Sequence, residues 1–289
     1  MLLMISATEP TLTTMPSHPA VRAEFLDFRD RSHGAVALGE IPEQRAAGRF
    51  IWVDIDLTAI QPAELHDLIP ACVLENEQVH QILSEDDQRQ GTESQRVSTL
   101  TRTDDAIRIC LIGVRQQESG LSSEQLDIVI GEGLLTTVRH GHSGVLQAVR
   151  RDYISDFERH AATPSFLIYE FWDKQIDQFL SAQGRLDEEV EAIRLALRRS
   201  ADEATLTRLA DVSSQLLALR KRVLPARRVL EELVSRKTTL ISEATLDFLG
   251  KMIDTLERLL ADITANREIL ESAMNFSLTV MTHRTNLTM

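Results

Sequence analysis

The chain has 289 residues, of which 43% are hydrophobic and 26% are charged, and its formal net charge at pH 7 is -13. This composition is typical of a soluble globular protein with one large or two ordinary domains. The excess of acidic residues disfavours binding to nucleic acid or to an anionic membrane surface. It favours cations as a class of ligand, although solubility alone explains an acidic surface more simply.

Two further classes of protein are disfavoured by the pattern of apolar residues. No stretch approaches the ~18 consecutive apolar residues that a membrane-spanning helix needs. The first residues, MLLMISATEPTLTTMPSHP, lack the basic start and the long apolar run of a signal peptide. Cys72 and Cys110 lie in apolar stretches without metal-ligand spacing, so we expect buried structural thiols.

The first half of the chain mixes short helix and strand patterns. Residues 1–20 are rich in Thr, Pro and Ser, and we expect them to be disordered. Over 21–162 we expect an α/β domain with helices on both faces of a sheet (αβα). Strand patterns occur at Phe50–Leu57, Ala106–Val114 and Leu126–Arg139, and short helical patterns occur at 61–69, 75–83 and 142–157. Gly131 and Gly133 mark a hairpin turn within the third strand pattern.

Residues 163–289 contain only helical patterns. The first helix is predicted over 164–199, and Asp202 is predicted to begin a second that runs to Lys237 with Pro225 inside it. Pro225 should kink or locally break that helix. The third pattern begins near Glu243 and continues to the end of the sequence with near-heptad spacing, which predicts a helix of about 60 Å. Such a helix associates with other helices or projects as a stalk.

Most candidate motifs have simple structural explanations. GEG at 131–133 is too short for a phosphate loop, and neither G-x-S-x-G nor H-E-x-x-H occurs, so the sequence gives no indication of an enzyme. The imidazoles of His140 and His142 could ligate a metal, but a turn explains that spacing equally well. Glu85–Asp87 is typical of a solvated loop. The basic segment LRKRVLPARR lacks neighbouring aromatic residues, so it predicts a solvated helix face paired with Glu231 and Glu232 and no nucleic-acid site.

Asp173 and Asp177 are the best candidates for metal ligands. They are four residues apart on a predicted helix, so they share one face. Their carboxylates repel each other unless a cation or a basic side chain lies nearby. Mg²⁺ often binds through one or two carboxylates and retains several waters, and a structural salt bridge is the alternative explanation.

Four segments, in order, resemble the CorA-type divalent-cation transporters and their ZntB relatives. They are FIWVDIDLTAIQPAELHDL, SFLIYEFWDKQIDQFLSAQGRLDEEVEAI, LRKRVLPARRVLEEL and HRTNLTM. The resemblance covers about 50–289 and places the last segment at the entrance to the family's first transmembrane helix. It therefore implies a cytosolic regulatory or funnel domain whose terminal stalk helix would continue into the membrane, and a sequence that is truncated before that point.

The resemblance also implies partners and site residues. The family works as a homopentamer, which implies self-association, a membrane attachment through C-terminal helices, and Mg²⁺ as the ion, with Zn²⁺ or Co²⁺ as alternatives. Asn286 and Met289 match positions at the cytoplasmic mouth of the pore. Asp173, with Asp177 one turn on, falls near a metal site between subunits. This chain departs from the family at that site, with His80, Gln81 and Lys251 at positions where the family has acidic residues, and with Asp254 one turn after Lys251.

Two classes of function remain open from the sequence. The first is the cytosolic portion of an inner or plasma membrane channel for Mg²⁺, or of a ZntB-like Zn²⁺ transporter. The second is a self-contained soluble protein that interacts through a coiled coil. The parent gene beyond Met289 distinguishes them, because only the first requires two apolar segments of ~20 residues separated by a Gly-x-Asn loop.

Overall fold

The computed structural model describes residues 18–60, 96–117, 120–199 and 202–288, with side chains up to residue 279. Seven strands form one sheet: β1 (Val21–Asp27), β2 (Ser32–Val36), β3 (Phe50–Asp56), β4 (Thr99–Arg102), β5 (Ala106–Gln117), β6 (Gly120–Gly131) and β7 (Leu134–Arg139). The helices are α1 (Ile41–Ala46), α2 (Gly144–Arg159), α3 (Phe166–Arg199), α4 (Glu203–Ser235) and α5 (Glu243–Thr288), with short 3₁₀ turns at Leu38–Glu40 and Leu57–Ala59. The predicted helices at 61–69 and 75–83, Cys72, Glu85–Asp87, His80, Gln81 and Met289 lie outside the described residues.

The strands are ordered β2-β1-β3-β7-β6-β5-β4 across the sheet. All neighbouring strands are antiparallel except β3 and β7, which pair in parallel from Ile51↔Leu134 to Asp56↔Arg139. The predicted hairpin between Gly131 and Leu134 is confirmed, and Gly133 has the positive φ of 71° that its tight turn requires. The three strand predictions therefore correspond to β3, β5 and the β6–β7 pair.

Helices cover both faces of the sheet, in agreement with the predicted αβα arrangement. On one face, apolar side chains of β3, β5 and β6 share a single core with α2, α3, α4 and α5. On the other face, Ile41 of α1 packs with Ile51, Val53 and Val138 in a smaller core. Because Trp52 and Val53 are adjacent in β3, their side chains point to opposite faces, and both are buried. The sheet is thus covered on both sides, which explains the nearly continuous apolar run of β3.

The long helices confirm the helical patterns after residue 163. α3, α4 and α5 contain 34, 33 and 46 residues, and α5 is the longest element that the structure describes. Asp202 caps α4 as predicted, since its Oδ1 accepts a hydrogen bond from the Thr205 amide at 2.8 Å. The expected local break at Pro225 is wrong, because α4 is helical on both sides of that residue. The last described strand ends at Arg139.

The length of α5 corresponds to about 70 Å, since an α-helix rises 1.5 Å per residue. Its buried face, which includes Leu249, Leu256, Ile263 and Leu270, belongs to the main core. Among the helices within the described ranges, none combines the length and the apolar character needed to cross a membrane.

Candidate functional site

Asp173 and Asp177 lie on the outer face of α3, one helical turn apart. The inner face of the same segment carries Phe171, Trp172 and Ile176, all of which are buried in the main core. Because the apolar side chains fix the rotation of the helix, the two carboxylates are directed away from the core. Asp177 is exposed and the Asp173 side chain is 36% exposed. Partial burial and the charge of Asp173 raise the pKa of the Asp177 carboxyl group.

A lysine lies beside the predicted pair of carboxylates. The Lys174 ammonium is 3.5 Å from Asp173 Oδ2 and 3.3 Å from Asp152 Oδ2 on α2. Burial alone would lower the pKa of Lys174, but the hydrogen bond to Asp152 and the charge of Asp173 outweigh it, and the pKa is raised. The basic neighbour that the sequence left open is therefore Lys174, and it joins α2 to α3.

The sequence analysis missed a third carboxylate near this face. Glu170 is only 5% exposed, and burial together with the charge of Asp156 raises its pKa to about 7. The charge of Lys174 works in the opposite direction. The signal in the sequence was a single acidic residue within the apolar run FLIYEFW, which predicts a buried ionisable group.

An aromatic contact connects the acidic face of α3 to α5. The ring of Tyr169 meets the ring of Phe248 edge-on, with centroids 5.6 Å apart, and Lys251 Nζ lies 5.0 Å from the Phe248 centroid. Burial and the charge of Asp173 raise the pKa of the Tyr169 hydroxyl. Lys251 is thus held over an aromatic face within its own chain.

These residues do not by themselves make up a metal site. Within 18–60, 96–117, 120–199 and 202–279, no group of three or more His, Cys, Asp or Glu side chains is arranged to hold a metal ion. Asp173 and Asp177 can supply two hard oxygen ligands, which suits Mg²⁺ with several retained waters. Any further protein ligand would have to come from outside these described side chains.

The other predicted residues lie apart from this face. Asn286 is in the last turn of α5, beyond the described side chains, and Met289 follows the described residues. His142 Nδ1 lies 3.8 Å from Glu124 Oε2, a carboxylate whose Oε1 accepts the Gly144 amide at the start of α2. The histidine pair therefore follows β7 at the turn that the sequence suggested.

The basic segment of α4 is only partly the solvated face that we expected. Arg227 pairs with Glu231 at 3.1 Å and with Glu257 of α5 at 3.3 Å, as an exposed face would. The expectation of a solvated face is wrong for Arg222, which is 8% exposed and donates a hydrogen bond to Ser123 Oγ at 3.3 Å. One guanidinium thus ties α4 to β6, because the helix face that carries it packs on the sheet.

The described residues form a sheet domain that is followed by three long helices. The family model of CorA-like Mg²⁺ transporter proteins matches residues 47–289, and the chain belongs to this family. It is 21% identical over 168 residues to the cobalt/magnesium transport protein CorA of Thermotoga maritima, a match that covers 57% of this chain and 48% of that protein. The chain thus spans about half the length of this curated relative.

Solved structures share the fold at low sequence identity. The soluble domain of CorA from Methanocaldococcus jannaschii superposes with a TM-score of 0.72 at 16% identity, over 92% of this chain and 99% of that structure. The ZntB cytoplasmic domain from Vibrio parahaemolyticus superposes with a TM-score of 0.61 at 11% identity, over 88% of this chain and 98% of that structure. The fold predicted from the sequence is therefore confirmed, and so is the resemblance to this family.

Proposed function

We propose that this chain is the cytosolic regulatory domain of a transporter for divalent cations. Membership of the CorA-like family over residues 47–289 is the observation that carries the proposal. The transported ion is Mg²⁺, with Co²⁺ as an alternative because the Thermotoga maritima relative is a cobalt/magnesium transport protein. Zn²⁺ is a further alternative, favoured by the likeness to a ZntB cytoplasmic domain. The domain binds and responds to ions and is not an enzyme.

The domain acts as part of a homopentamer that is attached to an inner or plasma membrane. An exposed apolar stripe on α5 supports self-association. It consists of Phe248, Ile269 and Phe276, which are separated by multiples of seven residues and are 50%, 39% and 60% exposed. Residues at a seven-residue spacing share one side of a helix, and this side is distinct from the one that carries Leu256 and Leu270. A second helix packed on the stripe would remove it from water.

Asp173 and Asp177 bind a divalent cation at the contact between two subunits. Their carboxylates face outward, and the described side chains of one chain supply too few ligands to complete the site. Lys174 already neutralises part of the charge, so we expect weak binding of the ion in the isolated chain. Lys251 repels a cation that approaches α5, and Asp254 one turn later attracts it.

Asn286 and Met289 line the cytoplasmic mouth of the pore. Five α5 helices arranged around an axis would bring these positions together, and a ring of methionines can block a hydrated cation by excluding water. The acidic composition of the chain favours cations over nucleic acid as partners.

Ion uptake into liposomes that contain the whole parent protein tests the proposed function. We expect uptake of Mg²⁺ that changes when Asp173 and Asp177 are replaced by Asn, with Co²⁺ and Zn²⁺ measured in parallel. Absence of uptake of all three ions would contradict the proposal. Sedimentation of the present chain over a wide range of concentrations tests self-association separately.

A further inference from the structure

A large cavity lies between one end of the strands, where β1 ends and β3 begins, and the first turns of α3 and α5. Its volume is about 1400 Å³. Five basic side chains line it, namely Arg29, Arg45, Arg49, Arg102 and Lys237. Three acidic side chains also line it, so basic groups exceed acidic ones by two, in a chain whose net charge is -13. Arg49 and Lys237 pair with Asp27 and Glu243 outside the lining, so any attraction for anions rests on Arg29, Arg45 and Arg102.

Three of these guanidinium groups have no acidic partner among the described residues. Arg45 Nη2 donates to the carbonyl oxygen of Glu132 at 2.9 Å, and Arg102 Nη2 donates to the carbonyl oxygen of Glu232 at 3.2 Å. Arg29 makes no side-chain hydrogen bond or salt bridge within the described part of the chain. Backbone carbonyls orient a guanidinium but leave its charge uncompensated, so these arginines retain their attraction for an anion.

Two long helices begin at the wall of this cavity. Ser165 precedes α3 and Ser242 precedes α5, and their hydroxyl oxygens are 3.1 Å apart. Thr163 joins them with a hydrogen bond to Ser242 Oγ at 3.2 Å. The positive ends of both helix dipoles therefore lie at the same side of the cavity, where the hydroxyl groups of Ser165, Ser242 and Thr245 hydrogen-bond to one another.

A buried hydroxyl without a partner borders the same cavity. Thr136 of β7 is 0% exposed, and its Oγ1 has no hydrogen-bond partner among the described residues. Buried hydroxyls are almost always satisfied, so a group of this kind indicates a missing ligand.

We propose that this cavity binds the phosphate groups of an oligophosphate, of the kind found in pyrophosphate and in nucleoside triphosphates. Guanidinium groups bind phosphate oxygens through paired hydrogen bonds, and helix N-termini favour the same negative charge. The volume exceeds what a single phosphate fills. The cavity is separate from Asp173 and Asp177, so this proposal is independent of transport.

Calorimetric titration of the chain with pyrophosphate and with ATP, both in metal-free buffer, tests the proposal. We expect saturable binding of both, about tenfold weaker in Arg29→Gln and in Arg45→Gln. Thr136→Val preserves shape and fold while it removes the hydroxyl, and it should also weaken binding. The control is Arg185→Gln, an exposed arginine of α3 outside the cavity, which should bind like the parent chain.

Four results would overturn the proposal. The first is no saturable binding of either compound at millimolar concentration. The second is equally weakened binding in Arg185→Gln, which would show that the loss of affinity comes from the change in net charge and not from the cavity. The third is unchanged affinity in Thr136→Val, which would show that the ligand does not bind in this cavity. Binding of ATP without binding of pyrophosphate would equally contradict recognition through phosphate groups.

Discussion

The Lys174 ammonium lies 3.5 Å from the carboxylate of Asp173, the residue that the sequence selects as a metal ligand. The same ammonium reaches Asp152 on α2 at 3.3 Å. Lys174 therefore neutralises part of the negative charge that a divalent cation would otherwise neutralise. Ion binding on this face has to compete with a cation that is covalently part of the protein.

Replacing Lys174 with Gln should make the stability of the chain depend on Mg²⁺. Without the ammonium, Asp173 loses its partner and Asp152 keeps only Arg151, and we expect the free energy of unfolding in EDTA to fall by about 1 to 2 kcal/mol. Added Mg²⁺ should restore it, because the ion replaces the missing positive charge. Urea unfolding of both chains with and without Mg²⁺ measures this.

The matched control for that substitution is Lys221→Gln on the exposed face of α4. It should leave both stability and the Mg²⁺ response unchanged. If Mg²⁺ stabilises the parent chain as much as Lys174→Gln, Lys174 does not compete with the ion.

Glu170→Gln should stabilise the protein at pH 8 and have no such effect at pH 4. The pKa of Glu170 rises from a usual value of 4.5 to about 7 in the folded chain. Below pH 4.5 Glu170 is protonated in both the folded and the unfolded chain, so its ionisation does not lower the free energy of unfolding. Between pH 4.5 and 7 the unfolded chain ionises while the folded chain keeps its proton, so the free energy of unfolding falls by up to about 3 kcal/mol, and above pH 7 the folded chain holds a buried charge. Glutamine removes this loss.

Thermal unfolding of Glu170→Gln between pH 4 and pH 8 measures the effect. Glu188→Gln, an exposed position on the same helix, is the control for the change in helix propensity. An equal gain at both pH values would show that packing, and not ionisation, is responsible.

The patterns that were predicted correctly are local ones. The apolar spacing that gives α3 and α5, the Asp202 cap and the glycine turn each depend on residues within a few positions of one another. Strands β1 and β2 were missed because polar residues interrupt them. Glu24 in β1 is 6% exposed, yet it pairs with Arg150 at 3.4 Å across 126 residues, a contact that no local pattern reveals.

The candidate site likewise has features that local spacing predicts and contacts that it does not predict. The spacing of Asp173 and Asp177 correctly places them on one helix face, but the role of Asp152 depends on how α2 packs on α3. Burial of Arg222 likewise depends on the sheet beneath α4. Interactions between distant segments decide which charges are compensated, and sequence spacing alone does not contain them.

Phe276→Gln should weaken self-association without destabilising the monomer. The side chain is 60% exposed, so its loss removes little contact within the chain. In an assembly through α5 the same ring would be buried, and about 25 cal/mol per Å² of apolar surface would be lost. Sedimentation over a range of concentrations measures the change. Leu217→Gln on α4, which replaces an apolar residue that is 39% exposed, should not alter association; an equal effect there would contradict an interface on α5.

Asn266→Leu should stabilise the isolated chain. Asn266 lies in the buried seam of α5 between Ile263 and Leu270 and is 4% exposed, and its Nδ2 has no hydrogen-bond partner in the part of the chain that the structure describes. Removing an unsatisfied buried amide should add about 1 to 2 kcal/mol, which corresponds to a rise in Tm of about 2 to 8 °C for a chain of this size. The exposed Asn275→Leu on the same helix gains only helix propensity, which is a smaller effect.

A natural sequence that retains a destabilising asparagine in an apolar seam uses it for specificity, as a single buried asparagine fixes register in coiled coils. Asn266 is buried inside its own chain, so any register it fixes is that of α5 against the neighbouring helices of the same chain. Asn266→Leu should therefore broaden the thermal unfolding transition while it raises Tm, and it should leave the distribution of oligomers in sedimentation unchanged. A rise in Tm with an equally sharp transition would leave Asn266 without a role in register. A fall in Tm would mean that its amide is satisfied in solution, and the seam would then need the polar group for stability as well.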